Sequence, residues 1–400
     1  MRRGTIIMMQ KRIAILGSTG SVGRSALRVI DSLNSLPGGR RYEVFALTAH
    51  KNVKLLAEQA RRHRPQYVAV TDPCSRDGLR EALRGLDVRI LCGGESAVEI
   101  AGMERVDVVL AAIVGIAGLA AVLAAADAGK RLAIANKEPL VVAGQLLVEA
   151  ARRGGASILP VDSEHSAIFQ AMRAGSAGEV RKIILTSSGG PFRDMSASDL
   201  SGVSIGEALS HPVWAMGPKI TVDSATMMNK ALEVIEAHWL FSMPVENIEV
   251  LIHPESIIHS LVEFVDGSVM AQLAEPDMCL PIQYALTHPD RLPGAGSFLR
   301  LEEIEKLTFK KPDPKLFRSL ALGYEVARMG GTAPAVFNAA NEAAVKEFLA
   351  GRIGFVNIVP LIEHCVTKHD FSADASLPEL LNADAWARKE IGECLKKNHS

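Results

Sequence analysis

Residues 11–23 read KRIAILGSTGSVG, an apolar run that ends in glycines at positions 17, 20 and 23. The run 11–16 predicts a buried strand, and the pattern of residues 24–33 predicts a helix after the turn. A glycine turn between a strand and a helix leaves backbone amides open to a pyrophosphate. The spacing GxxGxxG therefore indicates a dinucleotide-binding turn, although any tight turn favours glycine on steric grounds.

The alternation of apolar strands with helical patterns continues to about residue 160. The next helix is predicted at residues 53–62. Further strands are predicted at residues 42–48, 67–70, 88–92, 106–111, 131–135 and 157–159. Alternation of this kind is typical of a doubly wound, Rossmann-like parallel sheet in an α/β protein.

The pattern changes after residue 160. Residues 182–185 predict a strand, and residues 189–218 form a loop rich in Gly, Ser, Pro and Asp, too long for a simple connection. Loops of that length are usually functional lids or disordered segments. Two apolar runs around Asp266-Gly267 predict a β-hairpin. Helical patterns run from residue 316 to the end.

The bulk composition is that of an ordinary globular protein. A length of 400 residues predicts two or three domains, and a formal net charge of -1 argues against a nucleic-acid partner. The five cysteines are scattered without a CxxC pair, which predicts reduced thiols with neither a disulfide framework nor a zinc site.

No apolar run in the sequence is long enough to cross a membrane, so no membrane partner is expected. The apolar stretch after Arg2 and Arg3 is too short for a signal peptide, and a strand begins almost at once. We therefore expect a cytoplasmic protein.

The second strand favours NADP over NAD. An NAD enzyme would be expected to place an acid at its end for the ribose hydroxyls, whereas here the end carries Lys51 and Asn52 without an acid. The alternative is that Lys51 is a solvated lysine at a helix start. Asn136, Lys137 and Glu138 follow a later strand, either at the ligand edge of the sheet or as ordinary helix-start residues.

Asp162 and Glu164 lie two residues apart after an apolar run, so both carboxylates project to one side. Two such charges repel unless a cation joins them, and oxygen ligands suit Mg²⁺ or Mn²⁺. Alternatively, Asp162 caps the following helix and Glu164 is favoured by its dipole.

Residues 224–233 predict one helix that begins near Asp223 or Ser224. On that helix Asn229, Lys230 and Glu233 share neighbouring faces, so Glu233 supplies a third carboxylate for a metal site. Lys230 and Asn229 then hold substrate oxygens. The alternative is an exposed helix with one weak Lys–Glu pair.

Ser188-Gly-Gly at the end of a strand suits a phosphate monoester, although turn formation explains the glycines equally well. His211, Trp214 and Met216 lie near the end of the long loop. A closing lid would bury the indole and bring the imidazole onto the phosphate, whereas a permanently docked loop would also bury it. Three other histidines are assigned no place in the site: His165, His253 and His259.

Six motifs together resemble the 1-deoxy-D-xylulose 5-phosphate reductoisomerase family. They are Gly17 to Gly23, Ala135 to Glu138, Val161 to His165, Ser188 to Phe192, His211 to Gly217 and Val222 to Lys230. Several are long and are not shared with other dehydrogenases, and the similarity extends into the C-terminal helices.

The resemblance implies an NADP-dependent oxidoreductase that rearranges and reduces 1-deoxy-D-xylulose 5-phosphate to 2-C-methyl-D-erythritol 4-phosphate. The product belongs to the non-mevalonate pathway of isoprenoid biosynthesis. The enzyme would be a homodimer that uses NADPH and Mg²⁺ or Mn²⁺, with Co²⁺ as a further option. Its domains would be an NADP-binding domain (1–160), a central α+β catalytic and dimerisation domain with a mobile loop (161–300, lid 189–218), a linker (301–315) and a C-terminal helical bundle (316–400).

The resemblance also assigns roles to residues. The metal ligands would be Asp162, Glu164 and Glu233, which act in catalysis with Lys137 and Lys230. The substrate contacts would be Lys137, Ser163, Glu164, Ser188, His211, Trp214, Met216, Ser224, Asn229, Lys230 and Glu233. The cofactor contacts would be Gly17, Thr19, Gly20, Ser21, Val22, Lys51, Asn52, Asn136, Glu138 and Gly217. One departure is His50, where family members often have glycine, and it puts the contact to the adenosine end in doubt.

Two other functions fit the sequence less well. A semialdehyde-type dehydrogenase would share the glycine turn but needs a nucleophilic cysteine, and Cys279 has no suitable setting. A non-catalytic NADP-sensing protein would have no reason to keep three carboxylates and a lysine.

Overall fold

A computed structural model of the chain describes residues 10–37, 42–196, 198–214, 216–294 and 296–398. The expectation about a leader segment rests largely on residues 1–9, which lie outside the described residues. So do Ala197 and Ala215 of the predicted lid.

The chain forms two compact units. The first contains the residues up to Pro139, together with Leu146–Ser166 and Asp277–Ser297. The second contains Leu140–Gln145, Ala167–Pro276 and the residues from Phe298 onward. The domain limits at residues 160, 300 and 315 remain predictions.

The first unit is built on a seven-stranded, fully parallel sheet with strand order β4-β3-β2-β1-β5-β6-β7. The chain moves outward from β1 to β4 and then returns to β5 on the other side of β1. This reversal creates a topological switch point between β1 and β5, where doubly wound sheets bind ligands. The strands are β1 Lys11–Leu16, β2 Tyr42–Ala49, β3 Tyr67–Val70, β4 Arg89–Cys92, β5 Val108–Ala111, β6 Arg131–Ile134 and β7 Ser157–Pro160. The predicted Rossmann-like sheet is confirmed.

The second unit contains a four-stranded mixed sheet of order β11-β10-β8-β9. Strands β8 and β9 are parallel, whereas β10 pairs antiparallel with both β8 and β11. The strands are β8 Val180–Ser187, β9 Ile248–Ile252, β10 Ile258–Phe264 and β11 Val269–Leu273. The hairpin predicted around Asp266-Gly267 is therefore confirmed as β10–β11.

The described residues also contain fifteen α-helices. They are α1 Ser21–Ser35, α2 Val53–His63, α3 Arg76–Ala82, α4 Glu95–Gly102, α5 Leu119–Asp127, α6 Glu138–Gly154, α7 Ser163–Ala171, α8 Ile205–Ala208, α9 Pro218–Ala225, α10 Met228–Phe241, α11 Cys279–Thr287, α12 Arg318–Met329, α13 Ala333–Leu349, α14 Ile358–Lys368 and α15 Leu377–Asn398. Helices α12 to α15 confirm the predicted helical C-terminal region, and α10 shares their apolar core. No helix in the described part of the chain is long and apolar enough to cross a bilayer.

The prediction of one helix over residues 224–233 is wrong. Met227 adopts a left-handed conformation with φ of 60°, so α9 ends at Ala225 and α10 begins at Met228. Tertiary contacts stabilise this break. The hydroxyl of Ser319 on α12 donates to the carbonyl oxygen of Thr226. This carbonyl is therefore satisfied without the backbone N–H that a continuous helix would supply.

Gly17 should be indispensable to the glycine turn after β1. Its φ is 88°, and a Cβ atom there would lie 2.4 Å from the carbonyl oxygen of Ala112. Left-handed strain and overlap with backbone together cost about 2 kcal/mol or more. We expect Gly17→Ala to lower the thermal unfolding midpoint of the first unit by about 4–8 °C.

Gly78→Ala is the matched control, because Gly78 lies on exposed α3 and a Cβ atom there meets nothing within 4 Å. That variant should unfold at the same temperature or slightly higher, since alanine favours helix. Equal midpoints for the two variants in a calorimetric scan would contradict the role given to Gly17.

Candidate active site

The glycine turn is held by hydrogen bonds from residues distant in sequence. The N–H of Gly17 donates to Thr48 Oγ1 at 3.0 Å. Ser18 Oγ donates to Gln59 Oε1 at 2.7 Å, and Gln59 Nε2 donates to the Ser18 carbonyl at 2.9 Å. Helix α1 then begins at Ser21, with Gly20 as an N-cap that has no capping side chain. The turn is thus preformed, and the amides of the first helical turn point out without a side-chain cap.

Asn136 follows β6 and is buried, with 8% of its surface exposed. Neither its Nδ2 nor its Oδ1 has a hydrogen-bond partner among the described residues. The N-cap position of α6 is occupied by Lys137, so the alternative role of Asn136 as a helix cap is wrong. A buried amide without partners costs about 1–3 kcal/mol. Its donor and acceptor atoms therefore fit a polar ligand such as a nicotinamide nucleotide.

The residues at the end of β2 give weaker evidence for a cofactor site. Asn52 caps α2, because its side chain accepts from the N–H of Leu55 at 3.2 Å. Lys51 is exposed beside it, so a contact of Lys51 with a 2′-phosphate remains a prediction. The ring of His50 forms a hydrogen bond with Thr71 Oγ1 at 3.0 Å.

The first unit contains the acidic pair predicted from the sequence. Asp162 forms an ion pair with Lys137, and both side chains are mostly buried. One Asp162 oxygen also accepts from the N–H of Glu164 at 3.2 Å, so the residue caps α7 while it pairs with lysine. The hydroxyl of Ser163 donates to Glu164. His165, which sequence reasoning left out of the site, is fully buried with its Nδ1 3.8 Å from Asp162.

The second unit buries the third carboxylate. Glu233 has 0% and Lys230 has 2% of its side chain exposed, and the two form an ion pair. Asn229 Nδ2 donates to Glu233 Oε1 at 2.5 Å. The alternative of an exposed helix with a weak surface pair is therefore wrong. The three residues form one polar cluster inside a largely apolar helix.

Asp223 is not a helix cap but a buried anchor, 1% exposed near the end of α9. Its carboxylate pairs with Lys219 at 2.7 Å and accepts from Asn341 Nδ2 of α13 at 3.0 Å. These bonds tie the segment that carries Ser224 to the C-terminal helices. Nothing in the sequence near Asp223 signals the partner on α13.

Ser188 and His211 lie together as predicted. Ser188 Oγ is 3.0 Å from His211 Nε2 and also accepts from the N–H of Gly190 at 3.2 Å. The Nδ1 atom of His211 accepts from the N–H of Trp214 at 2.9 Å. In the neutral ring the proton is therefore on Nε2, which donates to Ser188. Arg193 adds a cation that sequence reasoning missed, because Nη1 donates to the Gly190 carbonyl at 3.2 Å.

The predicted lid packs against the core at single positions. Phe192 and Ala208 lie in the apolar core, and the ring centroids of Phe192 and Phe355 are 5.1 Å apart. Beyond Ala208, Leu209 is 37% and Val213 38% exposed. Trp214 is half-buried, and its ring centroid lies 6.3 Å from that of His259. His259 therefore borders the loop, whereas His253 is a core histidine bonded to the Thr308 carbonyl.

The remaining predicted residues lie on these same segments. Thr19, Val22, Met216 and Ser224 are half-buried, Gly20, Ser21 and Gly217 are exposed, and Glu138 is buried. Their contacts with ligands remain predictions.

Three family profiles match the chain in succession. The profile described as 1-deoxy-D-xylulose 5-phosphate reductoisomerase matches residues 13–144. The profile for the C-terminal domain of this enzyme matches residues 158–241. A further profile, described as the DXP reductoisomerase C-terminal domain, matches residues 273–390.

Comparisons over the whole chain give the same family as the profiles. A 1-deoxy-D-xylulose 5-phosphate reductoisomerase of Symbiobacterium thermophilum is 51% identical over 389 residues, which cover 96% of this chain and 99% of the relative. The solved structure of the Zymomonas mobilis enzyme with NADPH is 42% identical, has a TM-score of 0.89 and covers 97% and 99% of the two chains. A second solved structure, described as DOX-P reductoisomerase in complex with NADPH, fosmidomycin and magnesium, is 42% identical, with a TM-score of 0.89 and coverage of 96% and 98%.

The chain belongs to the 1-deoxy-D-xylulose 5-phosphate reductoisomerase family. In this member of the family, the residues that the sequence did not reveal hold other site residues in place. Thr48 and Gln59 hold the glycine turn, and Asn341 holds Asp223. Each is 31 or more residues from its partner, and each belongs to a common residue type outside any motif.

His211 should titrate below its ordinary range. Burial lowers the pKa of its imidazole, and the positive charge of Arg193 lowers it further. A lowered pKa means that the ring is neutral at pH 7, as its acceptance of the Trp214 N–H at Nδ1 requires. We expect an NMR titration of the ligand-free enzyme to place the His211 midpoint below 6.5.

Arg193→Gln tests how much the charge of Arg193 lowers the pKa of His211. Removal of the guanidinium should raise the His211 pKa towards 6.5 without reaching it, because burial remains the larger effect. A His211→Asn variant identifies the resonance. A midpoint at or above 6.5 in the unmodified enzyme would contradict the assignment of a neutral, donating ring.

Proposed function

We propose that this chain catalyses the NADPH- and divalent-metal-dependent rearrangement and reduction of 1-deoxy-D-xylulose 5-phosphate to 2-C-methyl-D-erythritol 4-phosphate. The reaction belongs to the non-mevalonate pathway to isopentenyl diphosphate. One observation carries the proposal: every predicted site residue lies within the two family matches at 13–144 and 158–241. The mostly buried pairs Lys137–Asp162 and Lys230–Glu233 supply the polar groups that such chemistry needs.

The proposed metal ligands are Asp162, Glu164 and Glu233. Carboxylate oxygens are hard ligands that suit Mg²⁺, Mn²⁺ or Co²⁺ and not a soft-metal site. Held there, the cation would supply Lewis-acid stabilisation of the negative charge that develops on the substrate oxygens. Lys137 and Lys230 each neutralise one of these carboxylates, so they keep the ligands charged and oriented before metal and substrate bind.

The remaining polar groups divide between the two ends of the substrate. Ser188 and His211 suit the phosphate, because both can donate to its oxygens and Gly190 keeps a positive φ of 67° beside them. The sugar oxygens would contact Ser163, Ser224, Asn229 and Lys230. Trp214 and Met216, near the end of the loop 189–218, would cover the bound substrate and exclude water.

The proposed cofactor site lies at the switch point between β1 and β5. NADPH would supply the hydride that reduces the rearranged aldehyde. Its pyrophosphate would bind at the start of α1, where Gly20 provides no capping side chain. The unpartnered amide of Asn136 offers both a donor and an acceptor to the cofactor.

The structure argues against a cysteine-dependent dehydrogenase. Cys279 is buried at the start of α11, and burial together with neighbouring Asp277 raises the pKa of its thiol to about 11. A nucleophilic cysteine requires a lowered pKa and access to the substrate. Cys279 therefore has the properties of a structural thiol.

A direct assay tests the proposed reaction. NADPH oxidation should depend on 1-deoxy-D-xylulose 5-phosphate and should stop when the divalent metal is removed and resume with Mn²⁺ or Mg²⁺. Glu233→Gln should reduce kcat/KM by at least about 100-fold, because it removes a ligand charge and breaks the ion pair with Lys230.

Glu99→Gln is the control, since it removes the same charge from the exposed face of α4. It should retain full activity. Metal-independent turnover, or full activity in Glu233→Gln, would overturn the proposal.

We also propose that the enzyme is a homodimer formed through β11. This strand is an edge of the mixed sheet, with Val269 48% and Met270 42% exposed. An apolar edge strand is prone to pair with another chain unless it is covered. A second copy would pair with it and extend the sheet.

Met270→Lys should shift the enzyme towards monomer in light scattering after gel filtration. Its control is Met329→Lys at the end of α12, which changes a methionine that is also 42% exposed. An unchanged dimer in Met270→Lys, or dissociation in both variants, would exclude β11 as the interface.

The reaction is proposed to take place in the cytoplasm. None of the five cysteines, all of which lie in the described residues, forms a disulfide. Reduced, scattered thiols are typical of that compartment.

A further inference from the structure

Helices α14 and α15 bring together side chains that ordinarily bind transition metals. His364 and Lys368 lie one turn apart on α14, and Glu390 and Cys394 lie one turn apart on α15. All four line a cavity of about 560 Å³ that lies far along the chain from the residues assigned to the reaction. The sequence predicted no zinc site, because it contains no CxxC pair. Here the ligands come from two helices, at a separation that no short motif reveals.

The geometry is close to that of a metal site. Glu390 Oε1 is 3.0 Å from His364 Nε2 and 3.7 Å from Cys394 Sγ. One ligand atom from each residue lies within 4.8 Å of the other two. In a tetrahedral zinc site with ordinary bond lengths, ligand atoms are about 3.3–3.6 Å apart. Small side-chain rotations would therefore open the space that a metal ion needs.

We propose that His364, Glu390 and Cys394 form a site for Zn²⁺ or a similar borderline-soft divalent cation, with water as the fourth ligand, which joins α15 to α14. On binding, Cys394 loses its thiol proton to solvent, and the His364 proton moves from Nε2 to Nδ1. One carboxylate and one thiolate then balance the charge of the ion. A neutral imidazole adds no further charge, so the complex has no net charge in its partly buried position.

Lys368 competes with the metal for the same carboxylate. Its Nζ donates to Glu390 Oε1 at 2.7 Å, and the Lys368 side chain is 49% exposed. Metal binding would displace the ammonium group into solvent, where it is readily hydrated. Removal of this charge should therefore strengthen metal binding, an effect opposite in sign to that of removing a ligand.

Co²⁺ provides the test, because a thiolate ligand gives it a charge-transfer absorption that oxygen ligands do not. The full-length enzyme is titrated with Co²⁺ in excess Mg²⁺, which fills the proposed carboxylate site. We expect about one equivalent of Co²⁺ to develop the thiolate absorption and Zn²⁺ to displace it. Cys394→Ser should abolish the absorption, and His364→Asn and Glu390→Gln should weaken Co²⁺ binding by more than about 10-fold.

Two variants make the test specific. Cys74→Ser removes an exposed thiol from another part of the chain and should leave the absorption unchanged. Lys368→Met should tighten Co²⁺ binding about two- to five-fold, since exposed ion pairs contribute little. Far-ultraviolet circular dichroism checks that each variant folds. Absence of the thiolate absorption in the unmodified enzyme, its persistence in Cys394→Ser, or weaker binding in Lys368→Met would overturn the proposal.

Discussion

The buried ion pair between Lys230 and Glu233 is the main electrostatic constraint that the second unit has to accommodate. Both side chains are almost completely removed from water. Desolvation costs several kcal/mol for each ion and is offset only by close pairing and further hydrogen bonds, here from Asn229. An apolar pair of similar volume would often give equal or greater stability. The buried charges are therefore better explained by chemistry than by folding.

Much of the fold follows from local sequence. Strands β1 and β3 have the predicted limits, because short apolar runs bounded by turns leave little freedom in a buried parallel sheet. The break between α9 and α10 could not be predicted in this way. Residues 224–233 favour helix locally, and the left-handed Met227 is held by contacts with α12 that lie almost a hundred residues away.

The candidate site shows the same contrast between what local sequence predicts and what distant contacts determine. Residues in motifs, such as Ser188 with His211 and Lys230 with Glu233, were predicted to lie near one another, and the structure places them so. Their supports were not predicted. Gln59 and Asn341 act through single hydrogen bonds across 41 and 118 residues. A glutamine or asparagine in a helix carries no local sign of such a partner.

The packing of Phe192 and Ala208 of the long loop into the core bears on ligand affinity. Ordering a residue costs about 1–2 kcal/mol of backbone entropy, which is subtracted from the free energy of binding. Because Phe192 and Ala208 are already packed in the core, a closure of this loop would not have to order the whole segment from 189 to 218. Each residue that is packed in advance removes its ordering cost from the binding of any ligand that the loop would cover.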